Sequence, residues 1–160
     1  PLTVLAKMFD CTVTWDAASG SIDLDLTDVA LLSDGETYYN QQDVYWLSRI
    51  IYAESGNQSL AGQIAVGNVV LNRVSDERFP DSVYGVIFDQ SYGVQFSPVE
   101  TGGIYAEPDE EAVVAAKLAL EGYNTAGESL YFVNPSIGAG SWFAANLTYV
   151  TSIGDHDFYA

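Results

Sequence analysis

The sequence is poor in the residues that bind metals or build nucleophilic sites. Its 160 residues contain one histidine, His156, and one cysteine, Cys11. A zinc hydrolase usually needs two or more converging His or Cys ligands, which this inventory does not supply. A Cys–His pair would have to join opposite ends of the chain, and a Ser–His–Asp site lacks the G-x-S-x-G turn that presents its serine. We therefore expect no metal, no cofactor, and a reaction carried out by carboxyl groups.

Basic residues are also scarce. Five Lys and Arg stand against 22 Asp and Glu, which gives a formal net charge of −17. This charge repels phosphate backbones and anionic lipids, so we expect neither nucleic acid nor a membrane surface as a partner. No run of 18 apolar residues is present, so we expect no membrane insertion. The first residues, PLTVLAKMFD, lack an initiator Met and a basic leader, which favours a piece of a longer precursor with any export signal upstream.

The composition changes along the chain and predicts three parts. Residues 1–27 show a helical pattern over residues 2–9, followed by two alternating segments, CTVTWD and SIDLDL, around the turn AASG. Residues 28–42 lose periodicity and collect Ser, Asp, Gly and Asn, as linkers do. Residues 43–160 form the main domain, which we expect to be α+β and dominated by helix.

The main domain opens with two apolar helical patterns. Asp43 is the expected N-cap of the first helix, which ends soon after Glu54 with Gly56 and Asn57 as stop residues. The second helix runs from about Ser59 to Val74. A short helix over SVYGVIF, an irregular segment over residues 89–108, a helix over PDEEAVVAAKLALEG, a turn-rich SIGAGSWFAAN and aromatic strands near the end complete the predicted order.

Glu54 is the carboxyl group that the sequence singles out. It lies in the last turn of the first helix, where the helix dipole disfavours an anion and where Ile50, Ile51 and Tyr52 exclude water. Both effects raise its pKa, so the group would be a protonated acid near neutral pH. The alternative is a solvated glutamate that only terminates the helix. Aromatic residues in the later loop and strands, flanked by Asn, Gln and Ser, suit a sugar ligand, although most belong to a core.

Seven segments in order, from IIYAESGNQSLAGQIAVGNVVLNRV through RFPDSVYGVIF, QFSPV, AAKLALEG, LYFVNP and SWF to SIGDHDFY, resemble the cell-wall hydrolase family of the spore cortex-lytic enzymes. The resemblance covers residues 43–159. It implies a lysozyme-like fold related to lytic transglycosylases, in a secreted bacterial enzyme that acts on peptidoglycan of the wall or of the germinating spore. Glu54 would then protonate the glycosidic oxygen between N-acetylmuramic acid and N-acetylglucosamine and, as a carboxylate, take the proton of the muramoyl 6-hydroxyl.

The resemblance also implies substrate-binding or supporting roles for residues in the matching segments, namely Gln95, Phe96, Ser97, Tyr131, Asn134, Trp142 and His156. Asn134 is otherwise a turn residue, and His156 is equally well a buried core imidazole. Glu100 is the nearest candidate for a second carboxyl group, which hydrolysis by water would require and intramolecular attack would not.

Two departures from the family pattern concern polarity near Glu54. Asn57 and Gln58 replace a common Gly-Glu pair, and Val94 replaces the glycine of a common GQF segment. The lost carboxylate at Gln58 motivates an alternative, a peptidoglycan-binding domain with weak or no turnover. N-acetylmuramoyl-L-alanine amidase activity is a further alternative, disfavoured because the sequence lacks the metal ligands such enzymes use.

The first 26 residues resemble the end of the copper amine oxidase N-terminal-like domain found beside exported bacterial wall enzymes, and the name implies no copper chemistry here. We expect a monomer outside the cytoplasm, in the cell wall or spore. Because its charge of −17 is repelled by anionic wall polymers, we also expect divalent cations to bridge the two.

Overall fold

The computed structural model describes residues 11–25, 38–91, 93–137 and 140–160. The chain divides into two compact units, residues 1–38 and 39–160. The predicted helix over residues 2–9 and most of the predicted linker lie outside the described residues. None of the described helices is long and apolar enough to cross a membrane.

The described part of the first unit is the predicted hairpin. Strands β1 (Thr12–Asp16) and β2 (Ser21–Asp25) pair antiparallel, with Trp15 opposite Ile22. The turn between them contains Gly20 at φ +68°, in the left-handed region that glycine adopts without strain. Alternation of apolar and polar residues identified both strands correctly, because successive side chains of a strand point to opposite faces.

The second unit contains helices and a small sheet. Its elements in chain order are α1 (Gln41–Ser55), α2 (Leu60–Val74), α3 (Val83–Ile87), α4 (Ser97–Thr101), a 3₁₀ turn (Gly103–Tyr105), α5 (Glu110–Leu120), β3 (Tyr131–Val133), a second 3₁₀ turn (Pro135–Ile137), α6 (Gly140–Asn146), β4 (Tyr149–Ile153) and β5 (His156–Tyr159). The three strands form an antiparallel sheet in the order β3-β5-β4.

Three helix starts follow from the capping side chains. The Ser59 hydroxyl accepts a hydrogen bond from the Gly62 N–H, the Ser82 hydroxyl from Gly85, and the Asp109 carboxylate from Ala112. The predicted cap Asp43 is wrong. The N-cap of α1 is Asn40, three residues earlier, because Asn40 has the extended backbone of an N-cap and its amide oxygen accepts from the Gln42 N–H.

Three other sequence predictions need correction. The segment over residues 89–108 contains α4 and a 3₁₀ turn, and SIGAGSWFAAN contains α6. Both helices are too short for an apolar period to be visible, and neighbouring Gly and Pro residues conceal them. Gly56 ends α1 with a right-handed backbone, so the left-handed termination for which glycine is usually chosen is not used there.

Helix α2 is central to the second unit. One of its faces packs with α1, α3 and α5 in the main core, formed by Leu47, Ile50, Ile51, Ile64, Val66, Val70, Val83, Val86, Ile87, Phe96, Ile104, Ala112, Ala115, Ala116 and Ala119. On its other face, Ala65 and Val69 pack with Ala126 and with Phe158 of strand β5. Because all four buried residues of α5 are alanines, that helix approaches its neighbours closely.

Polar residues of α2 hold the segment that leads into the sheet. The Asn68 amide donates to the Tyr123 carbonyl at 2.9 Å, and the Asn72 amide donates to the carbonyls of Gly127 and Ser129 at 2.8 and 2.9 Å. Ser129 is buried, so its carbonyl group would otherwise be left unpaired away from water. These hydrogen bonds fix the chain just before β3, which carries several residues of the candidate site.

Gly67 marks the closest approach within the main core. A Cβ atom at this position would lie 3.0 Å from Ile51 Cδ1 and 3.2 Å from Ala119 Cβ. The Ala119 Cβ atom moves only with its backbone, so a larger residue has no space. We predict that Gly67→Val lowers the free energy of unfolding by about 1–3 kcal/mol, measured by urea denaturation. Ala61→Val, at an exposed position of the same helix, is the control; an equal loss there would mean that helix propensity and not packing is responsible.

Candidate active site

Glu54 lies in the last turn of α1, and that turn contains no basic residue. Burial raises the pKa of its carboxyl group from 4.5 to about 7, because the ionised form loses contact with water. The sequence predicted two causes for this rise in pKa, the helix dipole and the exclusion of water, and the structure identifies the second. The group is therefore close to half-protonated at neutral pH and can donate or accept a proton.

Two surface cavities meet at Glu54. The first, which we call the polar cavity, has a volume of about 690 Å³ and is lined by Tyr52, Ala53, Glu54, Gly56, Asn57, Ser97, Pro98, Thr101, Gly103, Ala106 and Asp109. The second, the aromatic cavity, has a volume of about 590 Å³ and is lined by Glu54, Arg73, Val94, Gln95, Phe96, Ser97, Glu100, Tyr131, Phe132, Val133, Trp142 and Phe143. Glu54 and Ser97 belong to both. A linear polymer that occupied both cavities would pass across the Glu54 carboxyl group.

Five of the seven predicted substrate-binding residues lie in the aromatic cavity with Glu54. Phe96 is buried, and Trp142 is 59% exposed. The Trp142 ring packs edge-on against Phe143, with 5.5 Å between centroids, and Phe143 packs against Tyr131 at 6.4 Å. The Gln95 amide donates to the Gly93 carbonyl at 3.0 Å, so its loop is closed on itself. The remaining member of the five is Ser97.

The structure does not place Asn134 and His156 among the residues that line these cavities. The Asn134 side-chain oxygen accepts hydrogen bonds from the backbone N–H and the hydroxyl of Ser136, as in an Asx turn. His156 is buried beside Phe132, with ring centroids 5.3 Å apart, and burial lowers the pKa of its imidazole. A neutral imidazole in this position supports Phe132, which lines the aromatic cavity, and it does not reach the cavity itself.

Arg73 is a site residue that sequence reasoning missed. Its Nε donates to the Leu130 carbonyl at 2.7 Å, and its Nη1 is buried without a hydrogen-bond partner among the described residues. The guanidinium carbon lies 5.0–5.3 Å from the ring centroids of Phe79, Phe96 and Tyr131. These contacts hold the buried cation at the wall of the aromatic cavity. An arginine within an apolar run of α2 was the available signal.

Glu100, the candidate second carboxyl group, also lines the aromatic cavity. It lies in the first turn of α4 and is exposed to solvent. Glu54 and Glu100 therefore differ in hydration although they border one cavity. The burial of Glu54 suits it to proton donation.

Gln58 contacts the β4–β5 turn and lines neither cavity. Its Nε2 donates to Asp155 Oδ2 at 3.0 Å, and its Oε1 accepts from the Asp155 N–H at 3.0 Å. A Cβ atom on Gly154, which has φ +60°, would lie 2.2 Å from the same Oε1 atom. The amide therefore has a local structural use, and its Nε2 also donates to the side-chain oxygen of Asn57 at 3.1 Å, a residue that lines the polar cavity.

Among the residues that the structure describes, no group of three or more His, Cys, Asp or Glu side chains is placed to hold a metal ion. The carboxyl groups that border the two cavities, Glu54, Glu100 and Asp109, come from three separate helix ends. Asp109 is already used as the N-cap of α5.

Comparison with known proteins gives three related findings. A family model described as Cell Wall Hydrolase matches residues 57–159, a range that begins just after Glu54. The spore cortex-lytic enzyme of Bacillus cereus is 36% identical over 120 residues, which are 75% of this chain and 45% of that protein. The corresponding enzyme of Bacillus subtilis is 33% identical over 120 residues, 75% of this chain and 38% of that protein. The chain thus spans less than half the length of these curated relatives.

A solved structure extends the likeness upstream of the family match. The catalytic domain of the germination-specific lytic transglycosylase SleB from Bacillus anthracis is 34% identical, with a TM-score of 0.69, and the match covers 81% of this chain and 100% of that chain. The likeness confirms the predicted fold class, an α+β, helix-dominated, lysozyme-like domain.

The raised pKa of Glu54 makes stability depend on pH in a defined direction. The native state binds this proton more tightly than the unfolded chain, in which the pKa is near 4.5. The resulting stabilisation is complete below that value and is lost as the pH rises through about 7. We predict that Glu54→Gln is increasingly more stable than the wild type as the pH rises from 4.5 to 7, by urea denaturation at stepped pH. A pH trend of equal size in Glu100→Gln would contradict the assignment to burial.

The Gln58 contacts predict the effect of restoring a carboxylate there. In Gln58→Glu an oxygen replaces the donating Nε2 and faces Asp155 Oδ2, so the free energy of unfolding should fall by about 1 kcal/mol. The double variant Gln58→Glu with Asp155→Asn supplies a new amide donor and should recover most of the loss in a double-mutant cycle. Additive losses in that cycle would show that the contact is not the cause.

Proposed function

The chain belongs to the cell wall hydrolase family, and we propose that it is a peptidoglycan-cleaving lytic transglycosylase that cuts between N-acetylmuramic acid and N-acetylglucosamine with Glu54 as its only acid and base. The observation that carries the proposal is the position of Glu54. It is a desolvated carboxyl group with a pKa of about 7 at the junction of two cavities. Sugars on both sides of the broken bond would then be held, one side in each cavity.

In the proposed reaction Glu54 first donates one proton and then accepts one. Protonated Glu54 gives its proton to the glycosidic oxygen as the bond from that oxygen to C1 of the muramoyl residue breaks. The 6-hydroxyl oxygen of the same residue bonds to C1 and transfers its proton to the Glu54 carboxylate. The product is a 1,6-anhydro sugar, no water is consumed, and Glu54 regains its starting state.

The walls of the aromatic cavity provide groups that suit a glycan ligand. In the aromatic cavity, the rings of Tyr131 and Trp142 would pack against sugar rings, and the neighbouring Gln95 and Ser97 would bond to hydroxyl or acetamido groups. The buried Arg73 gives that cavity a positive wall in a protein whose net charge is −17.

We also propose that this chain acts outside the cytoplasm, at the cell wall or the spore. The bridging of wall polymers by divalent cations and a monomeric state stay predictions.

Glu100 motivates a second candidate, hydrolysis. In this candidate reaction the exposed Glu100 carboxyl group, which lines the same cavity, would activate water, and the product would be a reducing end in place of the anhydro sugar. The weak-binding alternative rests on the carboxylate lost at Gln58, whose amide bonds to the β4–β5 turn and to Asn57, and the product assay below separates it from turnover.

The proposal predicts the products formed from purified peptidoglycan and separated by mass spectrometry. The wild type should release 1,6-anhydro-muramoyl fragments, and Glu54→Gln should lower their rate of formation by about 10²–10⁴-fold, since a general acid contributes that much. The rate should also fall as the pH rises through about 7, where Glu54 loses its proton.

Glu100→Gln is the matched control on the same cavity. It should leave the anhydro products unchanged. Reducing ends that disappear in Glu100→Gln would favour hydrolysis, free stem peptides would indicate an amidase, and intact sacculi that retain bound protein would indicate a binding domain. Full activity in Glu54→Gln would contradict the proposal.

A further inference from the structure

Five aromatic rings form a cluster near the start of α1, and none of them is among the residues that line the two cavities containing Glu54. Trp46 is at its centre, with ring centroids 4.8 Å from Tyr45, 5.5 Å from Tyr84, 5.0 Å from Phe88 and 6.4 Å from Tyr105. We call these five residues the Trp46 patch. Their segments, α1, α3 and the first 3₁₀ turn, are held together by the main core.

The three tyrosines of the Trp46 patch are exposed, whereas Trp46 and Phe88 are half-buried and pack against the main core. Tyr45, Tyr84 and Tyr105 are 46%, 53% and 65% exposed. The core beneath is already filled by Leu47, Ile50 and neighbouring apolar residues. Clustered rings that remain in water on a folded protein usually mark a contact surface for a ligand or partner.

A cavity with polar groups adjoins the patch. Its volume is about 510 Å³, and it is lined by Asn40, Gln42, Asp43, Trp46, Ser82 and Tyr84. Two aromatic rings thus share a cavity with two amides, a carboxyl group and a hydroxyl. This volume is within the range of about 300–1,000 Å³ that small-molecule sites occupy.

The charges around the patch restrict what it can bind. Its cation, Arg49, stacks on Tyr45 at 3.8 Å and pairs with Glu107 at 2.5 Å. Asp43 lines the cavity, and the whole chain carries −17. An anionic ligand is therefore repelled. The other polar side chains that line the cavity, Asn40, Gln42 and Ser82, are neutral hydrogen-bonding groups.

We propose that the Trp46 patch and its cavity bind a neutral N-acetylated saccharide, a second glycan site separate from the one that contains Glu54. The rings would stack on the apolar faces of sugar rings, and the amides would bond to hydroxyl and acetamido groups. The identity of the polymer, a peptidoglycan glycan strand, rests on the proposed function; the site itself does not.

The site would keep the enzyme on its polymer between cuts. Trp46 and Glu54 both belong to α1, and their positions along its axis differ by about 12 Å at 1.5 Å per residue. Binding at the patch would raise the effective concentration of nearby bonds at Glu54. Its loss should therefore affect polymeric substrate and spare short fragments.

The three tryptophans make the proposal testable by NMR, because each indole N–H reports on a different region. Trp15 is in the β1–β2 hairpin, Trp46 in the patch and Trp142 in the aromatic cavity. The probe is the fully N-acetylated tetramer of N-acetylglucosamine, tetra-N-acetylchitotetraose, titrated into the Glu54→Gln protein so that turnover plays no part. We expect a saturable shift of the Trp46 indole, tenfold or more weaker in Tyr84→Ala and unchanged in Tyr123→Ala, an equally exposed tyrosine outside the patch.

Other outcomes would overturn the proposal. A shift confined to Trp142 would mean that the sugar binds only beside Glu54. Stronger binding at Trp46 of deacetylated, cationic chitosan tetramer would mean an amine site. A lower melting temperature of Tyr84→Ala without any Trp46 shift on titration would mean that the five rings stabilise the fold and bind no sugar.

Activity measurements separate this proposal from the function assigned to Glu54. With otherwise wild-type protein, Tyr84→Ala should reduce binding to sacculi and the rate on sacculi several-fold, and leave the rate on short soluble muropeptides unchanged. Equal rates on sacculi for Tyr84→Ala and Tyr123→Ala would count against the patch and would leave the role of Glu54 intact.

Discussion

Desolvation of one carboxyl group is the physical constraint on which the site depends. Glu54 ends a helix whose preceding turns, through Leu47, Ile50 and Ile51, are fixed in the main core. Because those residues are held, the last turn cannot move outward to hydrate the carboxyl group. Ionisation is therefore penalised, and the pKa rises to about 7. Helix packing thus sets the proton affinity of the group, without a charged neighbour.

The long elements could be predicted from sequence because their patterns record burial directly. The apolar spacing of α1, α2 and α5 and the alternation in β1 and β2 follow from the periods of helix and strand. Helices α4 and α6 could not be predicted, since a helix of one or two turns shows no period. The N-cap of α1 was misplaced because Asn40 and Asp43 have similar capping preference, and the choice between them depends on the backbone at Asn40.

The candidate site was predictable where chemistry is local to a residue and not where it depends on distant packing. Glu54 was identified from its place at a helix end. The grouping of Gln95, Phe96, Ser97, Tyr131 and Trp142 came from the family resemblance. Arg73 was missed because its burial requires aromatic rings from three later segments. Asn134 and His156 have polar side chains whose partners or packing lie nearby, which a sequence does not distinguish from a ligand-facing role.

Helix α1 carries the Trp46 ring near its beginning and the Glu54 carboxyl group at its end. The backbone hydrogen bonds of one continuous helix make the separation of these two groups a fixed length. Sequence changes in the surrounding loops can alter how tightly each end holds a ligand, but they cannot alter that length. Insertion or deletion within α1 would also rotate one group relative to the other by about 100° per residue. The helix therefore fixes the spacing between Trp46 and Glu54 independently of the loops around them.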